Sequence, residues 1–600
     1  MSGAARIAFA LLVCATFAAF FAAQELKSTP PRVQDLTATT VFSPNRDGRK
    51  DRARVAFRLK RTDDVRATVI DRAGEGVRVL ADRRVRAGRL LRLVWDGRGG
   101  DERMQPDGTY RIRLSLRREG RSIILPRNII KDTEPPAVRV TSIGPQRDTV
   151  PRPELLPRVD GRPAVVSFQA PDRRKEVLVY RTDVTPARAV FEQPLALADD
   201  QRRWEWDGTV DGRRVAAGTY VVVVRARDAA GNVGTSVPLP PRPGYAKAFA
   251  GRGGITVRYL TAQPPSEPTD AGETVDVAVS SVDKNFSWTI RRVGERDIRN
   301  RGRGTKTRIV RLPAPGGKSG LYLFEVRTRT RRVAAPVVVQ SQQPRDVLVV
   351  LPATTWQGLN PVDDDGDGRP DTLSAGLPVR IGRAFVKSGL PASVPQHEAL
   401  LLASLDREGH RYDLTTDVAL ARGRGPKLAG HRGVILAGDT RWLDVGVARS
   451  LRGFVRGGGR LLSVGTESLR RSVTITPRRA ISPTPATARD LFGARLAAIE
   501  RPQPPVGLVN VVDDIQLFAG TEGQFAGIGA FEQTLDVRGG AGAIAAAAVT
   551  LDGRRQVIVA SRLGKGLVIR PGMPDFSATL KTNAELAGFM ERAWTLLSRP

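Results

Sequence analysis

The sequence predicts a multidomain chain, with all-β sandwiches first and one doubly wound α/β domain last. Three observations carry that prediction. Two stretches, around 95–116 and 206–226, repeat one another as short alternating runs between turn residues. Proline clusters separate the units. From Arg345 onwards, continuous apolar runs replace the alternation and helical stretches come between them.

The chain has 600 residues, 95 of them Lys or Arg against 62 Asp or Glu, for a formal charge of +33. That length normally holds several domains. The arginines are scattered through strand-like segments, which fits either an arginine-biased composition or attraction to anionic polymers. No helix-turn-helix, zinc-finger or RRM signature is visible, so nucleic acid is not an expected partner. Cys14 is the single cysteine. Outside its own segment, thiol catalysis, disulfides and cysteine-based metal centres are therefore excluded. Only His397, His410 and His431 remain for imidazole chemistry.

Residues 1–29 read as an export or anchor segment. Arg6 precedes an uncharged apolar run, Ile7–Ala23, short for a membrane span. Phe21-Ala22-Ala23 is a poor cleavage site, so an uncleaved signal anchor is expected, with a cleaved signal peptide as the alternative. The expected location is the cell membrane, single-pass, with the remaining domains outside the cytoplasm.

The first sandwich is expected over 30–135 and the second over 136–243. Trp95-Asp96-Gly97 and Pro106-Asp107-Gly108-Thr109-Tyr110 precede the alternating run Arg111–Leu116. Trp206-Asp207-Gly208 and Ala217-Gly218-Thr219-Tyr220 stand the same way before Val221–Ala226. Asp-Gly suits a turn with positive φ, and Gly-Thr-Tyr starts the next strand. Thr133-Glu134-Pro135-Pro136 and Pro238–Pro243 are the linkers. Residues 244–342 offer short strand-like runs without the repeat motif and read as a third β-sandwich.

The last domain is expected over 343–600. Asp346–Pro352 and Gly433–Gly438 read as continuous apolar strands, the first opened by its aspartate. A helix over about Asp444–Arg456 ends at Gly457-Gly458-Gly459, and Arg460–Gly465 is the next strand. This β–α–β order demands a crossover. Ala545–Leu551 and Gln556–Ser561 suggest an edge hairpin, and a last helix runs over about Asn583–Leu597.

The Trp-Asp-Gly…Gly-Thr-Tyr units resemble the Ig-like domain of the flagellar hook capping protein, which implies spacer or adhesion duty. Thr354–Asn360, Tyr412–Asp417, Val434–Trp442, Phe454–Gly465 and Gly564–Pro574 resemble the C-terminal domain of the N,N-dimethylformamidase large (beta) subunit. That resemblance implies a class I glutamine-amidotransferase-like fold. It also implies an iron site on two tyrosines and a glutamate, and here the chain departs. Leu359 stands at the first tyrosine-like position, Thr440 at the glutamate and Arg441 at the second tyrosine. Leucine offers no lone pair and arginine repels a cation, so no iron is expected. A ligand pocket is expected near Trp356, Gln357, Asp439, Arg441 and Trp442, where strand ends of such sheets hold ligands; structural packing is the alternative reading of these residues. Asp439 and Glu467 are the candidate catalytic carboxylates.

Two acidic loops could take a hard cation. Asp363, Asp365, Asp367 and Asp371 alternate around Gly366, so they either wrap calcium or form a solvated acidic turn. Asn45, Asp47 and Asp51 are a thinner copy with cations between them. The functional expectation is an anchored binding or scaffolding protein for an anionic cell-wall polymer, with a catalytically degenerate last domain. The alternative is an amide or glycan hydrolase at the cell surface.

Overall fold

The computed structural model describes residues 12–17, 19, 32–144, 154–155, 163–171, 174–195, 202–241, 253–305, 308–312, 318–341, 344–539 and 542–599. The expected single-pass membrane location is corrected here. No helix of the described residues is long and apolar enough to cross a membrane. Within Ile7–Ala23 the described part is the helical piece Leu12–Phe17 with Ala19, and the rest of the expected anchor lies outside the described residues. A helix of six residues rises about 9 Å against a hydrocarbon core of about 30 Å.

Most of the chain is β-structure, and its first part forms three two-sheeted units. In the first, Val33–Ala38, Ala53–Leu59 and Leu90–Trp95 face a second sheet built on Asp63–Ile70 and Gly108–Leu116. Alternation sends Val55, Phe57, Val65, Val69, Ile112 and Leu114 into the space between the sheets. Trp95 lies there too, its ring 4.7 Å from Tyr110 and 5.3 Å from Phe42. The Trp95 indole N–H donates to the Arg98 carbonyl at 2.8 Å, and the Tyr110 hydroxyl to the Pro106 carbonyl at 2.7 Å.

The second unit repeats these contacts. Trp206 donates to the Thr209 carbonyl at 2.9 Å, Tyr220 to the Ala216 carbonyl at 2.7 Å, and their rings lie 5.6 Å apart. Gly254–Val257 pairs antiparallel with Gly218–Val221, so this sandwich takes in a strand beyond the boundary expected at 243. All four of its residues are buried, which is why it belongs to a core rather than a linker. The third unit runs from Leu260–Gln263 to Arg332–Gln340. Its Tyr322 hydroxyl donates to the Lys318 carbonyl at 2.8 Å, the same four-residue back-bond as in the other two.

The last part holds a nine-stranded mixed sheet. In chain order its strands are β1 Val347–Leu351, β2 Asp413–Thr416, β3 Gly433–Leu436, β4 Arg460–Ser463, β5 Val506–Asp513, β6 Gln524–Ile528, β7 Ile544–Thr550, β8 Gln556–Leu563 and β9 Gly566–Arg570. Their order across the sheet is β2-β1-β3-β4-β9-β8-β7-β5-β6. The first five run parallel and the remaining pairings are antiparallel. The helices are α1 Ala353–Leu359, α2 Glu398–Arg407, α3 Asp417–Ala421, α4 Val445–Arg456, α5 Phe576–Thr579 and α6 Ala584–Ser598.

Both faces of the parallel half are covered, which explains the unbroken apolar runs. Val347, Val349 and Leu351 share one cluster with Leu401 and Leu405 of α2 and Phe589 of α6. Leu348 and Val350 share the opposite one with Val447, Leu451 and Val455 of α4. Asp444 caps α4 by accepting from the Gly446 and Val447 N–H groups, and Asn583 caps α6 through Leu586.

Candidate functional site

The carboxyl ends of β1, β3 and β4 meet under α1. After β3 the chain turns at Gly438 with φ +95°, and a Cβ there would lie 2.5 Å from Glu398 Oε1. After β4, a Cβ on Gly465 would lie 2.2 Å from the Gly438 carbonyl oxygen. Two glycines thus let the turns close on each other and bring their following residues together.

Three of the expected residues do meet. The Arg441 guanidinium lies 2.7 Å from Glu467 Oε2 and 3.6 Å from Asp439 Oδ2. Asp439 Oδ1 accepts from the Thr466 N–H at 3.0 Å. Burial raises the Asp439 pKa, opposed by Arg441 and His397. Glu467 holds φ at +49°, a conformation L-residues seldom adopt outside tight turns. Its N–H donates to Glu532 Oε1 at 3.0 Å.

The other expected residues are engaged with different partners. Trp442 is 2 % exposed and packs with Leu373, Val379, Val473 and Ala480, the Arg471 guanidinium 5.5 Å from its ring. Gln357 is buried against Arg383, whose backbone carbonyl accepts from Nε2 at 3.1 Å and whose Nε donates to Oε1 at 3.3 Å. Trp356 is buried and its indole N–H donates to Glu398 Oε1 at 2.9 Å. Leu359, at the tyrosine-like position, is 41 % exposed. The Thr440 side chain is buried, and its N–H donates to Ser468 Oγ at 2.9 Å.

Two carboxylates beside this cluster carried no signal in the sequence. Glu398 starts α2 and accepts from Trp356 and from the Ser393 hydroxyl, each at 2.9 Å, while its Oε2 is buried with no hydrogen-bond partner among the described residues. Burial pushes its carboxyl up to about 7. Glu532 comes from Phe531–Val537, far along the chain, and burial pushes it up to about 7 as well. Groups that exchange a proton near neutrality could serve general acid–base work.

The 363–371 loop lies outside this cluster, between the last domain and the second sandwich. Asp363, Asp365 and Asp371 each present a carboxylate oxygen within 4.8 Å of the others. Asp363 is pushed well up by burial and by Asp367; Asp367 rises to about 6 and Asp371 to about 7, burial first and neighbouring carboxylates next. An all-oxygen set that is costly to ionise alone has the chemistry of a hard-cation site. In the 45–51 loop, the Asp51 carboxylate accepts from the Arg46 and Gly48 N–H groups, Asn45 from Asp47, and Asp47 from Arg49. The carboxylates of Asp363, Asp365, Asp367 and Asp371 accept backbone N–H groups in the same way, so the two loops differ in burial and not in free oxygens.

Comparison with known proteins adds one match and several distant likenesses. The N,N-dimethylformamidase beta subunit-like, C-terminal family matches residues 307–505. That family likeness is real over this stretch, which begins inside the third sandwich and stops before β5. No curated protein matches. Among solved structures, the cold-adapted β-galactosidase from Rahnella sp. R3 is 12% identical, covers 43% of this chain and 32% of its own, and has a TM-score of 0.26. The β-galactosidase from Bacillus circulans sp. alkalophilus is 15% identical over 41% and 31%, with a TM-score of 0.25. The I67–I69 fragment of titin is 12% identical over 52% and 98%, with a TM-score of 0.18. The chain thus spans less than a third of the β-galactosidases' length, and similarity at this level carries no functional argument.

Proposed function

We propose that this chain is a multidomain binding or scaffolding protein in which Ig-like sandwiches present a class I glutamine-amidotransferase-like domain that has lost amide hydrolysis. One observation carries the reading: the Arg441 guanidinium is ion-paired with Asp439 and Glu467 at the strand ends. A fixed cation at that place repels a metal ion and neutralises the carboxylates that would otherwise hold one. Leu359, exposed and without a lone pair, supplies no replacement ligand. The purified chain, incubated with ferric iron and then dimethylformamide, is expected to retain no iron and release no formate. Iron-dependent release of formate removes the proposal.

A hydrolase is the second reading, and Glu398 and Glu532 favour it, since both stand near neutrality beside the cluster. Under that reading Glu398→Gln and Asp439→Ala abolish turnover of an amide or glycosidic substrate while leaving the folded state intact. Calcium at Asp363, Asp365, Asp367 and Asp371 belongs to the binding reading as a structural ion that ties the last domain to the second sandwich.

A further inference from the structure

A large cleft lies between the third sandwich and the last domain, away from the strand-end cluster. It encloses about 1350 Å³, with seven Lys or Arg side chains on its walls against Glu295 and Asp406. Asp406 balances one of the seven, Arg292, and Glu295 is paired with Arg299 outside these walls. Asp406 is held by Arg292 at 2.5 Å and by the Tyr412 hydroxyl at 3.0 Å. The Arg292–Asp406 pair joins β-sandwich to α2 and fixes the two walls against each other.

Five of the cations, Arg296, Lys318, Arg345, Arg411 and Lys581, have no side-chain hydrogen bond or ion pair among the described residues. They come from four separate parts of the chain: the third sandwich, the linker before β1, the turn after α2 and the turn after α5. Arg345 is half-buried and the other four are solvent-exposed, so water and salt screen their mutual repulsion, and an anion entering the cleft meets a surplus of positive charge. Ser577, 3 % exposed on the same wall, has a hydroxyl with no hydrogen-bond partner among the described residues. A buried hydroxyl left without a partner is costly and fits a polar group arriving from the cleft.

We infer that this cleft binds an anionic oligosaccharide, its charges carried on carboxylates or phosphodiesters. The inference rests on the binding reading above and names its site and ligand class. Cavity size and charge call for an extended polyanion, and serine hydroxyls suit a ligand rich in hydroxyls. Single-stranded nucleic acid binds through aromatic stacking platforms. The aromatic groups on these walls are already engaged: Tyr412 is buried on Asp406, and His410 stacks on Trp594 at 4.2 Å.

The test is calorimetric titration of the full chain at low salt with oligogalacturonate and with a glycerol-phosphate oligomer, which separates the two charge sources. A neutral malto-oligosaccharide and oligo(dT) serve as controls. The triple variant R296S/R411S/K581S is expected to weaken the anionic saccharide about tenfold or more. The reference triple R83S/R84S/R86S, on exposed residues of the first sandwich, removes the same charge and should stay within about twofold. Equal weakening by both triples overturns the inference, since net charge alone would then explain binding. So does tight binding of the neutral sugar, or displacement of the saccharide from the cleft by oligo(dT). Lys581→Glu, on an exposed turn, is the second variant should the triple not fold, and it must weaken binding too. A null titration alongside a silent amide assay refutes the cleft while leaving the binding reading; formate release refutes that reading itself.

Discussion

The loops 45–51 and 365–371 share one plan and end in different environments. In each, the first side chain accepts the N–H two residues on at 3.0 Å, and the third accepts the next such N–H at 2.7 Å. Each has glycine in the fourth place, with φ +81° and +85°. Both dock on the second sandwich. The first does so through Ser43, whose hydroxyl donates to Asn232 at 2.6 Å, and through Lys50, which reaches the Ala229 carbonyl. The second receives the Gly254 N–H at its Gly366 carbonyl at 2.8 Å and the Thr182 hydroxyl at its Gly368 carbonyl. The difference is burial. Asp363 and Asp364, ahead of the second loop, are 1 % and 3 % exposed, whereas 45–51 stays largely in water. A shared motif sets backbone geometry; burial decides whether its carboxylates are costly enough to want a cation.

The largest contrast should come from the paired glycines. A Cβ at Gly368 would lie 2.6 Å from Val221 Cβ, while at Gly48 it would meet nothing within 4 Å. Gly368→Ala is therefore expected to cost about 3 kcal/mol or more, from overpacking and positive φ together, and Gly48→Ala about 1 kcal/mol from φ alone. Urea unfolding of both variants checks this, and equal losses would break the comparison.

Calcium is next. Millimolar calcium should raise the unfolding midpoint by up to about 2–3 kcal/mol of linked stability, and EDTA should reverse it. Asp365→Asn with Asp371→Asn should abolish the response, and Asp47→Asn should leave it unchanged. An equal response in both loops' variants would put the ion elsewhere.

The pH dependence sharpens the same contrast. A carboxyl whose folded pKa lies above its unfolded value near 4 holds its proton more tightly when folded. Its contribution is therefore present at low pH and lost as pH rises through the folded value, near 6 for Asp367 and 7 for Asp371. Without calcium, stability should fall between about pH 5 and 8, and Asp371→Asn should flatten the fall in thermal melts. Glu398, Asp417 and Glu532 push the same way, so the variant-minus-parent difference is the measurement that counts. The smallest effect is expected for Asp47→Asn at pH 8 without calcium, about 0.5 kcal/mol of loss, because an amide oxygen still accepts from Arg49. Asp367→Asn should have the opposite sign there, since it removes one of several crowded charges.

Much of this architecture could be read along the chain. The Trp-Asp-Gly and Gly-Thr-Tyr elements mark two sandwiches because each side chain has a local duty, an indole or hydroxyl bonding a carbonyl three or four residues away. The third sandwich hid its copy, Gly320-Leu321-Tyr322, because leucine replaces threonine and no Trp-Asp-Gly precedes it. The hydrophobic strands β1, β3 and β4 were legible as unbroken apolar runs. The sequence Asp413-Leu414-Thr415-Thr416 looks like a loop yet is fully buried as β2, its Asp413 carboxylate bonded to His431 at 2.8 Å. Asp439, Arg441 and Glu467 were found because they follow two recognisable strands. Glu398 and Glu532 were not, since nothing local distinguishes either from a surface glutamate.

By itself, the sequence determined whatever depends on neighbours along the chain: turn glycines, alternating and continuous strands, helix caps, and the arginine that follows β3. Tertiary structure alone decided which carboxylates are buried, which strand completes the second sandwich, and where unpaired cations gather between domains. Those outcomes are set by desolvation and by charges brought close from distant segments, and neither quantity is written in local spacing.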